Sequence, residues 1–408
     1  MFLIRQSKPE DNATLFKLAR MVYFINLPPD EQIIAQKIEH SQGCFRRVAH
    51  GAADAKAAKM VKSVKKGKLS KTETTPPTSN GSRRKGAAGG GLAAMEHESD
   101  MFMFSVIEPE TGAVIGTSQV RAHQGGPGNP NWRMRVGEKK FHSPSLGFGT
   151  THTVAQLDGD TSGPSEVGGL IMQPSHRGHK LRPGRFLSFV RFHFMGLHRG
   201  LFAPTVLAEM MPPVTSQGDN LFWDTFGRKF IPVKYAEADR FCQHNRAFIS
   251  DLLPKDEIYL TLFPLEVQNM VGVVSRETIP ARRLLESLGF KYRGYIDPFD
   301  GGPHIDAITE QIPLVAATRM TEVGKATTDD RCTTAAIVST LDGEGEFRAT
   351  ETFVEVTKDG PVRLTQEAME LLGVQLGSQL GMTAMGKFGL TREVEANPVK
   401  RRLKKAKV

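Results

Sequence analysis

The stretch Glu166–Gly196, EVGGLIMQPSHRGHKLRPGRFLSFVRFHFMG, decides how the chain is read. Val167 to Met172 is an apolar run of strand length, broken by Pro174. A basic turn follows, Arg177-Gly178-His179-Lys180-Leu181-Arg182-Pro183-Gly184-Arg185. Phe186, Leu187, Phe189, Val190, Phe192 and Phe194 then open an apolar helix. Strand, glycine-bearing basic turn and helix together suit a diphosphate. Amides at a helix start point at the anion, and the helix dipole favours negative charge there. The turn lacks the Gly-Lys-Ser/Thr of a Walker loop and has too few glycines for a dinucleotide fingerprint. An ordinary strand-to-helix connection with a solvated turn would read the same way.

Charge narrows the class. Residues 51–95 carry ten Lys or Arg against Asp54 and Glu73, and Val399–Val408 adds six basic residues. Together these exceed the chain's net +9, so the remainder is acidic, which argues against a folded nucleic-acid surface. The 51–95 segment has almost no large apolar side chain and reads as a disordered basic insertion, or alternatively as an anionic-surface tether. No apolar run reaches the ~20 residues of a membrane span. The opening MFLIRQSKPEDNATLFKLARMVYF does not read as a secretory leader. Cys44, Cys242 and Cys332 are far apart and odd in number, which suits reduced thiols in a cytoplasmic protein and no zinc site.

Along the chain, Phe2–Arg5 predicts a strand, followed by a helix with Leu15, Leu18, Ala19 and Val22 on one face and a second helix over Pro29–His40. Phe102–Ile107 and Ala113–Ala122 predict a hairpin across Glu108–Gly112. Residues 123–165 are Gly-, Pro- and Ser-rich and predict a long irregular excursion. Pro204–Met211 predicts a buried strand carrying Glu209, and Pro280–Gly289 a helix. From about Met320, short alternating runs predict a small, mostly β module over 321–398, then a basic tail over 399–408.

Ala281–Phe290 has the form A-x-x-x-L-x-x-x-G-F. With the 166–196 unit, the N-terminal strand-helix-helix and the 102–122 hairpin, it resembles the GNAT acyltransferase fold. The resemblance narrows at Leu207–Met210, Asn220–Phe230 (NLFWDTFGRKF), Ala247–Pro254 and Pro280–Pro303 (PARRLLESLGFKYRGYIDPFDGGP). These segments resemble arginine N-succinyltransferases. The resemblance implies an α+β fold, a GNAT-like core with a mixed central sheet flanked by helices, over 1–50 and 96–320. That region could divide into two GNAT-like halves. It also implies succinyl transfer from succinyl-CoA to the α-amine of L-arginine in arginine breakdown, without a metal. Related members accept ornithine, and family precedent points to a homo-oligomer. The turn departs from the family's R-x-x-G-x-G. Lys180 stands at the first glycine, and Arg182-Pro183 delays Gly184. Ser275 stands where the family has its proposed proton-donor histidine.

These departures leave two alternatives open: a GNAT acyltransferase for ornithine or another amine, and a non-catalytic CoA- or nucleic-acid-binding protein. Amine attack on a thioester requires a neutral amine, an oxyanion donor and a proton for the thiolate. The resemblance carries over Leu170 as a donor contact, with Ile171 and Met172 beside it. Arg177, Gly178, His179, Lys180, Gly184 and Arg185 are expected at the diphosphate. Glu209 is a candidate base, or else a strand-end carboxylate. Asp297 and Asp300 could hold a guanidinium, or else serve the turn. His304 is a candidate replacement for the histidine missing at Ser275. Tyr292 and Tyr295 are candidate thiolate acids, and Arg133 and Arg135 candidate contacts for the succinyl carboxylate.

Overall fold

The computed structural model describes residues 1–21, 27–65, 99–215, 218–242, 247–357 and 360–391. Its strands in chain order are β1 (Leu3–Gln6), β2 (Met101–Ile107), β3 (Val114–Arg121), β4 (Asn131–Ser143), β5 (Phe148–Asp160), β6 (Ser165–Met172) and β7 (Thr205–Glu209). They continue with β8 (Ile258–Tyr259), β9 (Lys291–Ile296), β10 (Pro303–Ile308), β11 (Thr318–Glu322), β12 (Thr334–Leu341), β13 (Phe347–Val354) and β14 (Gln379–Ala384). All join one mixed sheet in the order β11-β14-β12-β13-β1-β2-β3-β6-β7-β10-β9-β4-β5-β8. The α+β class with a mixed sheet flanked by helices is as expected. No helix among the described residues is long and apolar enough to cross a membrane.

Helices α1 (Asn12–Ala19) and α2 (Glu31–Lys65) pack on one face of the sheet. Leu15, Leu18, Ile34 and Ile38 meet Met101, Met103 and Ile171 there. The opposite face carries α3 (Pro183–Leu197), whose Phe186, Phe189, Phe192 and Phe194 are buried against Phe102, Phe104 and Val106. Period-two alternation along β2 sends Met101 and Met103 one way and Phe102 and Phe104 the other, so both faces are covered. Beyond β7, α4 (Leu221–Thr225), α5 (Gly227–Phe230), α6 (Tyr235–Cys242), α7 (Ala247–Leu252) and α8 (Leu265–Gln268) enclose a second core. There Trp223 stacks on Phe299. Helix α9 (Ile279–Ser287) returns to the α3 side through Leu285.

Three expectations are corrected. Helix α2 does not stop near His40. It runs through Gly51 to Lys65, into the stretch expected to be disordered. Alanine and lysine both favour helix, so scarcity of apolar residues alone does not end one. The rest of that insertion, 66–95, and the tail 399–408 lie outside the described residues. The excursion over 123–165 is largely regular, since β4 and β5 pair from Asn131↔Asp160 to Ser143↔Phe148. Its glycines hid a long hairpin. The C-terminal strands are not a detached module. β1 lies between β13 and β2, with Ile4 opposite both Ala349 and Val106.

Phe194 welds these parts together. Its ring centroid lies 4.5 Å from that of Phe102, 5.4 Å from Phe45 and 5.6 Å from Phe347. One side chain thus touches α2, β2, α3 and β13. Phe194→Ala is expected to lower unfolding free energy by about 3–5 kcal/mol, read from the midpoint and slope of a urea transition.

Candidate active site

The site begins where β6 and β7 part. They pair in parallel at Ser165↔Val206 and Glu166↔Leu207 only. β6 continues instead along β3 to Met172↔Gly116, while β7 continues along β10 to Glu209↔His304. The two strand ends therefore diverge into a cleft. On the β6 wall the register against β3 shifts between Thr117 and Gln119, and Gly169 adopts φ +57°. A left-handed glycine with an extra residue in the strand is a β-bulge, which turns the following peptide. Leu170, just past it, is half-buried and packs against the main core with Met172, while Ile171 faces α1 and α2.

The turn after β6 keeps the expected form. Arg177, Gly178 and Lys180 are exposed, and the amides of Gly178, Lys180 and Gly184 have no acceptor among the described residues. The ring of His179 packs edge-on against Phe2, and its Nδ1 accepts from the Leu181 amide at 3.2 Å. Arg182 takes φ +48°, the only non-glycine residue with positive φ among the described residues. Pro183 then opens α3 at its first position, where no amide is needed.

Arg185 does not join this turn. Its guanidinium pairs with Glu351 of β13 at 2.6 Å and donates to the carbonyls of Phe388 and Gly389. Its position in α3 carries it inward to the C-terminal strands, which the local sequence does not reveal. Burial raises the Glu351 carboxyl above its usual value, although Arg185 opposes that shift.

On the β7 wall, Glu209, Asp297 and His304 converge. His304 Nε2 lies 3.9 Å from Glu209 Oε1 and 3.8 Å from Asp297 Oδ2. At those distances the attraction is between charges, not through hydrogen bonds. Both His304 ring nitrogens are buried without a hydrogen-bond partner among the described residues. Burial alone would lower the imidazole pKa, but the Asp297 and Glu209 carboxylates outweigh it and leave it raised. Asn131 of β4 donates to Glu209 Oε1 at 3.2 Å. A cavity of about 380 Å³ opens beside His304, bounded by Arg133, Tyr295, Leu207, Thr205 and Asp306.

The Asp297-Pro298-Phe299-Asp300-Gly301-Gly302 turn divides its two carboxylates. Asp297 accepts the amides of Phe299 and Asp300 through Oδ1 and presents Oδ2 to His304. Asp300 faces inward. Gly302 donates to its Oδ1 at 2.8 Å and Tyr235 to its Oδ2 at 3.3 Å. Burial first, then Asp297, holds the Asp300 carboxyl well above the usual carboxylate range. Asp300 thus holds the turn together through Gly302 and Tyr235. Gly302 is required because a Cβ there would lie 2.3 Å from the Met210 carbonyl oxygen.

Ser275 is buried, shares a hydrogen bond with Thr278 at 2.9 Å, and donates its amide to the Met211 carbonyl. It opens the turn into α9, and its carbonyl accepts the amides of Thr278 and Ile279. Arg133 reaches the cavity, but Asp158 and Asp160 hold its guanidinium at 2.9 and 2.8 Å, stacked 3.8 Å from the Tyr295 ring centre. Arg135 and Tyr292 are exposed, and Tyr295 lines the cavity. Sequence reading missed Asn131, Asp160, Thr205 and Leu207. Asn131 and Asp160 lie on the unrecognised hairpin, whose alternation was its one available signal.

The family model for the arginine N-succinyltransferase beta subunit matches residues 88–314. The chain belongs to the arginine N-succinyltransferase family. An arginine N-succinyltransferase of Photorhabdus laumondii is 31% identical over 285 residues, covering 70% of this chain and 82% of that protein. One from Yersinia pestis is 32% identical over 290 residues, covering 70% and 82%. The structure titled arginine/ornithine succinyltransferase subunit AI from Pseudomonas aeruginosa shares the fold, with a TM-score of 0.69 at 23% identity, over 94% of this chain and 98% of that one. Within this arginine N-succinyltransferase fold, Arg185 holds the start of α3 to the C-terminal strands. Arg185→Met leaves Glu351 buried and unpaired, and should cost about 3 kcal/mol, read from the midpoint and slope of a chemical denaturation curve.

Proposed function

We propose that the chain transfers succinyl from succinyl-CoA to the α-amine of L-arginine. The observation that carries this reading is the parting of β6 from β7. It sets a bulged strand opposite a carboxylate–imidazole cluster. The turn over Arg177, Gly178, Lys180 and Gly184 would take the donor's diphosphate, with lysine and arginine adding charge to the backbone amides. Leu170 and Met172 would line the pantetheine arm. The amide turned by the Gly169 bulge would face the thioester oxygen as it becomes an oxyanion.

The acceptor would occupy the cavity beside His304. An arriving ammonium group meets Glu209 and Asp297, two carboxylates placed to attract it. It must lose a proton before attack, since its pKa is about 8–9. His304 is the group we assign to take that proton, in place of the family's histidine at the Ser275 position. An imidazole accepts a proton only when neutral. Because the His304 pKa is raised, activity is expected to climb as pH rises past about 6.5, not below it.

Purified protein with succinyl-CoA and millimolar arginine should release free thiol above an arginine-free control. Ornithine is the second acceptor to test, because the Pseudomonas aeruginosa structure carries both names. His304→Asn should lower kcat/KM about a hundredfold and remove the rising limb of the pH profile. Thiol release unchanged in that variant would reject the proton assignment. No arginine-dependent release from the wild-type protein would reject the activity.

A further inference from the structure

Arg191 lies in the middle of α3 and is 2% exposed. Its Nε donates to the Ser188 carbonyl at 3.0 Å and its Nη2 to Ser188 Oγ at 2.7 Å. Its Nη1 donates to the Gly168 carbonyl at 3.4 Å. No carboxylate pairs with it among the described residues. Burial lowers its pKa to about 9, so it remains charged at neutral pH. A buried guanidinium without a counterion is costly, and an apolar side chain of similar size is commonly neutral or stabilising in such a place. Folding alone does not account for it.

Its location suggests what does. Gly168 is two residues past the last β6–β7 pair, Glu166↔Leu207, and immediately precedes the Gly169 bulge. Arg191 Nη1 meets the Gly168 carbonyl just beyond the last β6–β7 pair. It thus fixes the peptide that leads into the bulge and adds positive potential at the floor of the cleft. Negative charge develops there only when the thioester oxygen becomes an oxyanion.

We propose that Arg191 is a positioning residue for acyl transfer: from beneath the sheet it holds Gly168 and the Gly169 bulge so that the following amide faces the reacting thioester. This rests on the acyl-transfer reading above. The guanidinium acts through the backbone and touches no substrate.

The test compares Arg191→Met and Arg191→Lys with wild-type protein in three measurements. These are thermal unfolding, steady-state transfer with both KM values, and hydrogen exchange of the 166–173 backbone. R191M should unfold no earlier than wild type, lose roughly 30-fold in kcat, and keep both KM values within about threefold. Exchange at 166–173 should quicken while other strands stay unchanged. R191K keeps the charge but loses the planar fork and should lose about 3- to 10-fold in kcat. Wild-type kcat in either variant, or a kcat loss matched by an earlier unfolding transition, would overturn the proposal. Should R191M not fold, R191K decides by the same criteria. Should the wild-type protein transfer no acyl group, the functional reading fails separately. The exchange comparison then still judges whether Arg191 holds the bulge, and unchanged protection in both variants would refute it.

Discussion

Everything in this site depends on a parallel strand pairing that stops after two residue pairs. β6 and β7 each keep a partner on their outer side, β3 and β10, so neither loses its place in the sheet when they separate. The separation leaves main-chain groups facing a cleft, and a backbone group out of water needs a partner. Arg191 supplies one at Gly168. The bulge at Gly169 keeps β6 on β3 while changing which way its peptides point. A cleft made by diverging strands can admit an extended chain such as a pantetheine arm without breaking the core on either side.

The far wall concentrates charge in a place with little water. Glu209, Asp297 and His304 each offer one atom within 4.8 Å of the others, so the two carboxylates would repel one another unless the imidazole between them carries a proton. Asp300 lies outside this group, turned inward to Gly302 and Tyr235, and burial, then Asp297, holds its carboxyl above the usual carboxylate range. Asp297 keeps one oxygen for its turn amides and one for His304, so a structural feature and a functional one share a side chain.

Distant segments hold α3 and the turn before it. Arg185 ties the first turn of α3 to Glu351 on β13 and to the carbonyls that follow Met385. Phe194 ties the end of the same helix to Phe347. α3 therefore cannot shift without disturbing strands more than 150 residues away in the chain. The C-terminal strands act as a buttress for α3, the helix that follows the basic turn.

Local chemistry made much of this legible. The 166–196 stretch announced strand, turn and helix, because apolar spacing and a proline at the helix start are properties of neighbouring residues. The FDGGP turn and Glu209 on its strand were legible for the same reason. The hairpin over 131–160 was not, since glycine and serine obscured an alternation that only pairing makes plain. Asn131 was lost with it. Arg185 and Lys180 looked alike as basic turn residues, yet one is buried against Glu351 and the other is exposed, because a helix face and not charge decides direction. By itself the sequence determined the fold class, the basic glycine-bearing turn ahead of α3 and the set of ionisable residues from which a site could be built. Tertiary structure alone decided which of them meet. His304, Glu209 and Asp297 come from two strands and a turn, and their approach depends on the β7–β10 register, a long-range pairing that no local pattern encodes.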